Sequence, residues 1–151
     1  MPISQKKLRR LLKFYPPYLG AGISVDYISD DWKELHVSMK LRWYNRNAVG
    51  THFGGSLYAM VDPHLMLMLL QILGKDYLVW DQSASITYIK PGKGTVHSRI
   101  RISEEEISSI LDNTRDGSKY LPEFTLAIVD EENDTVAEVK KVIYIRKKSK
   151  V

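Results

Sequence analysis

The chain has 151 residues, 44% of them hydrophobic and 26% charged, with a formal charge of +4 and no cysteine. That length and apolar share suit one globular domain over residues 1–151 and require no second one. The missing cysteines exclude thiol nucleophiles, disulfides and thiolate-held metals, and suit a cytoplasmic protein.

Basic residues collect at the two ends, with Lys6, Lys7, Arg9 and Arg10 near the start and Arg146, Lys147, Lys148 and Lys150 near the finish. This is the pattern of solvated termini and not of a nucleic-acid interface. Leu8, Leu11, Leu12 and Tyr15 recur at helical spacing until Pro16-Pro17 stops them, which predicts a short amphipathic helix over about residues 4–15 laid on the domain. No acidic residue precedes Asp26, so the same stretch resembles a transit peptide or a membrane-surface helix. Packing on the domain is the preferred reading, with no stable membrane insertion.

Ile23, Val25 and Tyr27 mark a first strand, turned at Asp30-Asp31 into the clearest one in the chain. There Leu35, Val37, Met39, Leu41 and Trp43 alternate with polar residues, a period of two that predicts one apolar face. A polar, glycine-rich turn, Asn47 to Gly55, then runs into an apolar helix closed by Gly74 as C-cap. The run Leu65 to Leu70 is too short to span a membrane and reads as buried helix. Its apolar surface is nearly continuous, which calls for cover by a sheet on one side and a second subunit on the other.

Beyond Gly74 the period returns to two. Leu78, Trp80, Gln82, Ala84, Ile86 and Tyr88 are expected on one strand face, with Asp81, Ser83, Ser85 and Thr87 on the other, until Pro91-Gly92 turns the chain. Val96, Ile100 and Ile102 mark another strand. Ser103-x-x-Glu106 is a capping-box pattern opening a short helix. Strands through Phe124, Leu126 and Ile128, and from Val136 to Ile145, complete an α+β arrangement of one antiparallel sheet around a long central helix.

The chemistry concentrates between Asn47 and Asp62. Glycines at 54 and 55 allow a backbone path and a close ligand approach that a Cβ would prevent, and helix-start N–H groups there face an incoming oxygen. Asp62 has two readings. Asp62-Pro63 can open a helix at residue 63 with Asp62 as its cap. Alternatively the helix starts near Gly55 and Pro63 kinks it near Ala59, leaving a buried carboxylate able to act as base or nucleophile. Asn47 likewise reads either as a group orienting water or as a turn residue. His36 and His97 fall on polar strand faces. His64, two positions after Asp62, does not face it on a helix. No histidine pair has metal-ligand spacing, so no metal is expected.

Asn47-x-x-Gly50-Thr51-x-x-Gly54-Gly55, followed by Asp62, resembles the motif of the hotdog-fold acyl-CoA thioesterases, and is most similar to their tetrameric, largely uncharacterised branch. With the neighbouring strands the resemblance covers roughly residues 20 to 147. It implies a hotdog fold and hydrolysis of acyl-CoA or a related thioester without a cofactor, by a homodimer or homotetramer whose sites form between subunits. Asn47 and the Gly54 N–H would come from one chain, and Asp62, with Asp81 or Ser83 helping to hold the water, from its partner. Gly55, Thr51, His52 and Met66 would contact substrate. Many of these enzymes carry His directly before the glycine pair, where this chain has Phe53. The shift to His52 turns that side chain by about 100° on a helix. A non-catalytic acyl-CoA-binding or assembly protein, or a dehydratase or hydratase, are the alternatives.

Overall fold

A computed structural model of the chain describes residues 2–149, so Lys150, the last of the basic C-terminal run, lies outside it. Helix α1, Gln5–Lys13, is capped by Ser4, whose side chain accepts from the Lys7 N–H. It buries Leu8 and Leu12, whereas Leu11 and Tyr15 stay exposed. The two prolines that stop it begin a further helix, α2, Pro16–Ala21, with proline in its first turn. Proline lacks the N–H that a first helical residue would leave unpaired, so it starts a helix as readily as it ends one.

The strands are β1 Ile23–Ile28, β2 Glu34–Lys40, β3 Tyr77–Tyr88, β4 Thr95–Arg101, β5 Lys119–Tyr120, β6 Glu123–Val129 and β7 Thr135–Lys147. They form one antiparallel sheet in the order β1-β2-β4-β6-β7-β3, with the short β5 added on β7. Leu35, Val37 and Met39 of β2 are buried as their alternation requires. The apolar face ends there, however: β2 stops at Lys40, and Trp43 is 81% exposed in the following turn. In β1 the register slips between Val25 and Tyr27, so Tyr27 is exposed instead of following Ile23 and Val25 inward. Helix α5, Glu104–Asn113, carries both hydrogen bonds of the capping box between Ser103 and Glu106.

The central segment packs on the sheet as two helices, α3 Gly54–Ala59 and α4 His64–Leu73, the second closed by Gly74. Taken together, Gly54–Leu73 is long and apolar enough to cross a bilayer by length and composition. It serves instead as the core: Met60, Val61, Leu65, Met68 and Leu69 are fully buried with Val139, Ile143 and Ile145 of β7. Each such side chain contributes roughly 1.5–3 kcal/mol of hydrophobic stabilisation. Met66, Leu67 and Leu70 are only partly covered. Strand β3 ends the sheet, an edge strand with a free row of backbone groups.

Candidate active site

Pro63 explains why the segment breaks. Lacking an N–H, it cannot bond the Ala59 carbonyl, and the Tyr18 hydroxyl of α2 takes over, donating to that oxygen at 3.3 Å. Asp62 therefore sits in the break, between the two readings its sequence allows. Helix α4 begins after Pro63, yet Asp62 makes no capping bond to it. Its side chain turns to the sheet. Oδ1 accepts from the Tyr58 hydroxyl at 2.8 Å and from Lys141 Nζ at 3.3 Å, and the Asp62 carbonyl accepts from the same ammonium. The carboxylate is not buried as expected, since 45% of the side chain is exposed. Oδ2 has no partner among the described residues.

Lys141 also reaches Asp81 Oδ1, at 2.8 Å, and its ammonium lies 5.9 Å from the centre of the Tyr58 ring. Asp62, Asp81, Tyr58 and Lys141 thus form one cluster, two carboxylates around a single buried cation. Burial first, then the hydrogen bond and charge of Asp62, push the Tyr58 hydroxyl well above its ordinary pKa, so it remains a donor.

Ser83 is not part of this cluster. The β3–β7 register slips between Asp81, opposite Ile143, and Ser83, opposite Val142. Two residues on β3 thus span one on β7, a bulge that sends Asp81 and Ser83 to opposite faces. The expected face is broken at the same place: Trp80 stacks on Tyr144 at 3.9 Å on one side, while Ile86, opposite buried Val139, lies on the other.

The remaining motif residues gather at the other end of α3, around a cleft of about 600 Å³ lined by Asn47, Thr51, His52, Phe53, Gly54, Gly55 and Tyr88. Asn47 spends its whole amide on its own turn. Nδ2 donates to Thr51 Oγ1 and the His52 carbonyl, and Oδ1 accepts from the Val49 and Thr51 N–H groups. Both amide groups are thus engaged within the turn, the arrangement of the turn reading of Asn47. Thr51 is buried beneath it. His52 is 3% exposed, with Nε2 2.9 Å from the Gly94 carbonyl, and burial holds its pKa below the ordinary value against that hydrogen bond. It braces the loop from within.

The glycines are explained by close approach and not by an unusual backbone path, because neither has a positive φ. A Cβ on Gly54 would stand 2.9 Å from the Tyr88 hydroxyl oxygen, and one on Gly55 would stand 2.8 Å from the Phe53 ring. The rings that come close belong to the chain itself. Met66 sits apart from this cleft, on the partly covered side of α4.

His64 meets the Tyr18 hydroxyl of α2 and not the Asp62 carboxylate. It is fully buried, with Nε2 2.9 Å from the Tyr18 hydroxyl, and burial pushes its pKa down to about 4 against the pull of the Met60 carbonyl. Among the described residues, no three His, Asp or Glu side chains are grouped to hold a metal ion.

A single antiparallel sheet wrapped on a central helical segment is the hotdog architecture, and solved structures share it along their whole length. A Pseudomonas aeruginosa protein of unknown function, a probable thioesterase, aligns with a TM-score of 0.83 at 18% identity, covering 98% of this chain and 99% of that one. A Chlorobaculum tepidum protein of unknown function aligns at 0.75 and 20% identity, covering 95% and 94%. A thioesterase from Haemophilus influenzae aligns at 0.69 and 14% identity, covering 97% and 93%. Among curated proteins none matches the sequence. The protein has the hotdog fold of the thioesterase-like proteins. Within that class the chain belongs to the DUF4442 family, a domain of unknown function whose pattern matches residues 5–145.

Proposed function

We propose that the protein hydrolyses acyl-CoA or a related acyl thioester, with Asp62 as general base. The observation that carries this reading is the division of labour within one carboxylate: Oδ1 is tied to Tyr58 and Lys141, and Oδ2 is open beside a half-exposed surface. In the reaction, Oδ2 takes a proton from water as the water oxygen bonds to the thioester carbonyl carbon. The Gly54 N–H stabilises the oxyanion. Collapse breaks the C–S bond, and the proton passes to the departing sulfur, giving the free thiol and the carboxylic acid. Asp81 shares the cation with Asp62 and helps hold the water. No cofactor enters.

Within one chain Gly54 and Asp62 are separated by about 12 Å of helical rise, so the site needs a second copy. Supporting this are the free edge of β3, its exposed Leu78, Trp80 and Tyr88, and the half-covered side of α4. A dimer or tetramer in the cytoplasm is the expected form. Partner N–H groups from the 47–55 loop would face Asp62, with Thr51, His52 and Gly55 shaping the thioester cleft and Met66 the acyl side.

The test is release of free thiol from a panel of acyl-CoAs, run beside small-angle scattering. Turnover by an oligomer is expected. A monomer at assay concentration contradicts the shared site. Saturable acyl-CoA binding without thiol release would favour the non-catalytic reading, which gains some weight from the Asn47 amide being engaged within its own turn. Loss of enoyl absorbance would favour a hydratase.

A further inference from the structure

Among the described residues, Lys141 is the largest fully buried side chain. It stands on β7 among Val139, Ile143 and Ile145, the residues of the alternation on either side of it, which are apolar and fully buried. An ammonium there is tolerated only when it is fully compensated. Its compensation comes from Asp81 Oδ1 and from both the carboxylate and the main-chain carbonyl of Asp62.

The geometry is more specific than charge balance needs. Asp81 alone, at 2.8 Å, would neutralise the lysine. The additional grip on Asp62 holds that residue by its backbone and its side chain at once, at the point where Pro63 has interrupted the helix that would otherwise fix it. With Tyr58 on the same Oδ1, the carboxylate is left with one orientation and one open oxygen. The β3 bulge contributes, because it sets Ala84, not Ser83, opposite Lys141. Without the extra residue a serine hydroxyl would compete for the ammonium.

We infer that Lys141 is the positioning residue of the site, a buried cation that fixes Asp62 so that Oδ2 faces the reacting water and links it to Asp81 as a working pair. The kinetic half of this inference rests on the hydrolase reading above; the structural half does not.

The test uses Lys141→Met, which keeps length and removes charge, and Lys141→Met with Asp81→Asn, which also removes one of the two carboxylates and keeps the fold accessible if the single variant fails. Turnover and a crystal structure of whichever folds are both read. The expected result is a fall in kcat of about 10²-fold with KM within about twofold, together with an Asp62 carboxylate that has left the Tyr58 hydroxyl or occupies several rotamers. Unchanged kcat, a loss confined to KM, or an Asp62 still seated on Tyr58 would overturn the inference. Should the natural protein release no thiol, the hydrolase reading falls, and the position of Asp62 in the variant structure decides the role of Lys141 by itself.

Discussion

Asp62 and His64 flank one proline and serve opposite ends. Asp62 leaves the helical segment towards the sheet, is ionically paired, and keeps one oxygen free at a half-exposed surface. His64 turns to α2, is fully buried, and shares the Tyr18 hydroxyl with the Ala59 carbonyl that Pro63 leaves without a donor. One side of the break holds a paired carboxylate at a half-exposed surface and the other repairs the backbone. The lesson is that a helix break needs both: the lost hydrogen bond must be replaced before the freed residue can be used.

The largest expected effect lies on the Asp62 side. Asp62→Asn keeps shape and removes the base, so turnover should fall by about 10² or more. Asp81 still compensates the buried Lys141, and the amide Oδ1 of the variant can still accept from it, so the variant should remain folded. A variant that releases thiol at the natural rate would end the catalytic assignment, and a collapse in melting temperature would make the residue structural like its neighbour.

On the other side the measurable quantity is stability against pH. The folded His64 pKa is pushed down to about 4 from an ordinary 6.5, so the unfolded chain binds the proton first as pH falls. Stability is then full above about pH 6.5 and is lost progressively towards pH 4, by about 3 kcal/mol in total. Melting curves across that window should show the loss in the natural protein and a much flatter profile in His64→Leu. Equal slopes would mean that the histidine is not held neutral.

Asp81→Asn should lower kcat on the order of tenfold, short of a general-base loss, with little change in acyl-CoA affinity, because it acts on the water and on Lys141 and not on the ligand. Parallel losses in both would assign it to folding alone. Tyr18→Phe removes the hydroxyl that serves Ala59 and His64, and should destabilise by about 1–2 kcal/mol while leaving the turnover of folded protein intact. If activity falls with it, the two sides of Pro63 are coupled and the division drawn above fails.

Much of this architecture is legible in the residues where local chemistry decides. The alternation of Leu35, Val37 and Met39, the Ser103–Glu106 capping box and the Gly74 C-cap each depend on neighbours in sequence, and each is found in place. What escapes is set by partners far along the chain. Lys141 pairs with Asp62 and Asp81 across the fold, and the one signal for it was a lysine sharing parity with Val139, Ile143 and Ile145 on an otherwise apolar face. The hydrogen bonds that consume Asn47 are local, but its sequence alone leaves turn and catalytic uses equally open. The bulge at Gln82 leaves no compositional trace, since its register is fixed by pairing with β7.

That bulge supplies the smallest effect and the sharpest contrast. Period-two reasoning places Ser83 beside Asp81, and a hydroxyl there would hold the same water. The observed register sets Ser83 opposite Val142 and Ala84 opposite Lys141, which puts the hydroxyl on the far face. Ser83→Ala should therefore leave kcat and KM within about twofold and stability within about 0.5 kcal/mol, as for an ordinary surface site. Ala84→Ser is the complementary change: it puts a hydroxyl opposite the ammonium, where it competes with Asp62, and turnover should fall more than for Ser83→Ala. The reverse order of effects would mean that β3 shifts register when two copies meet at its free edge, restoring the alternation that the residues alone suggest.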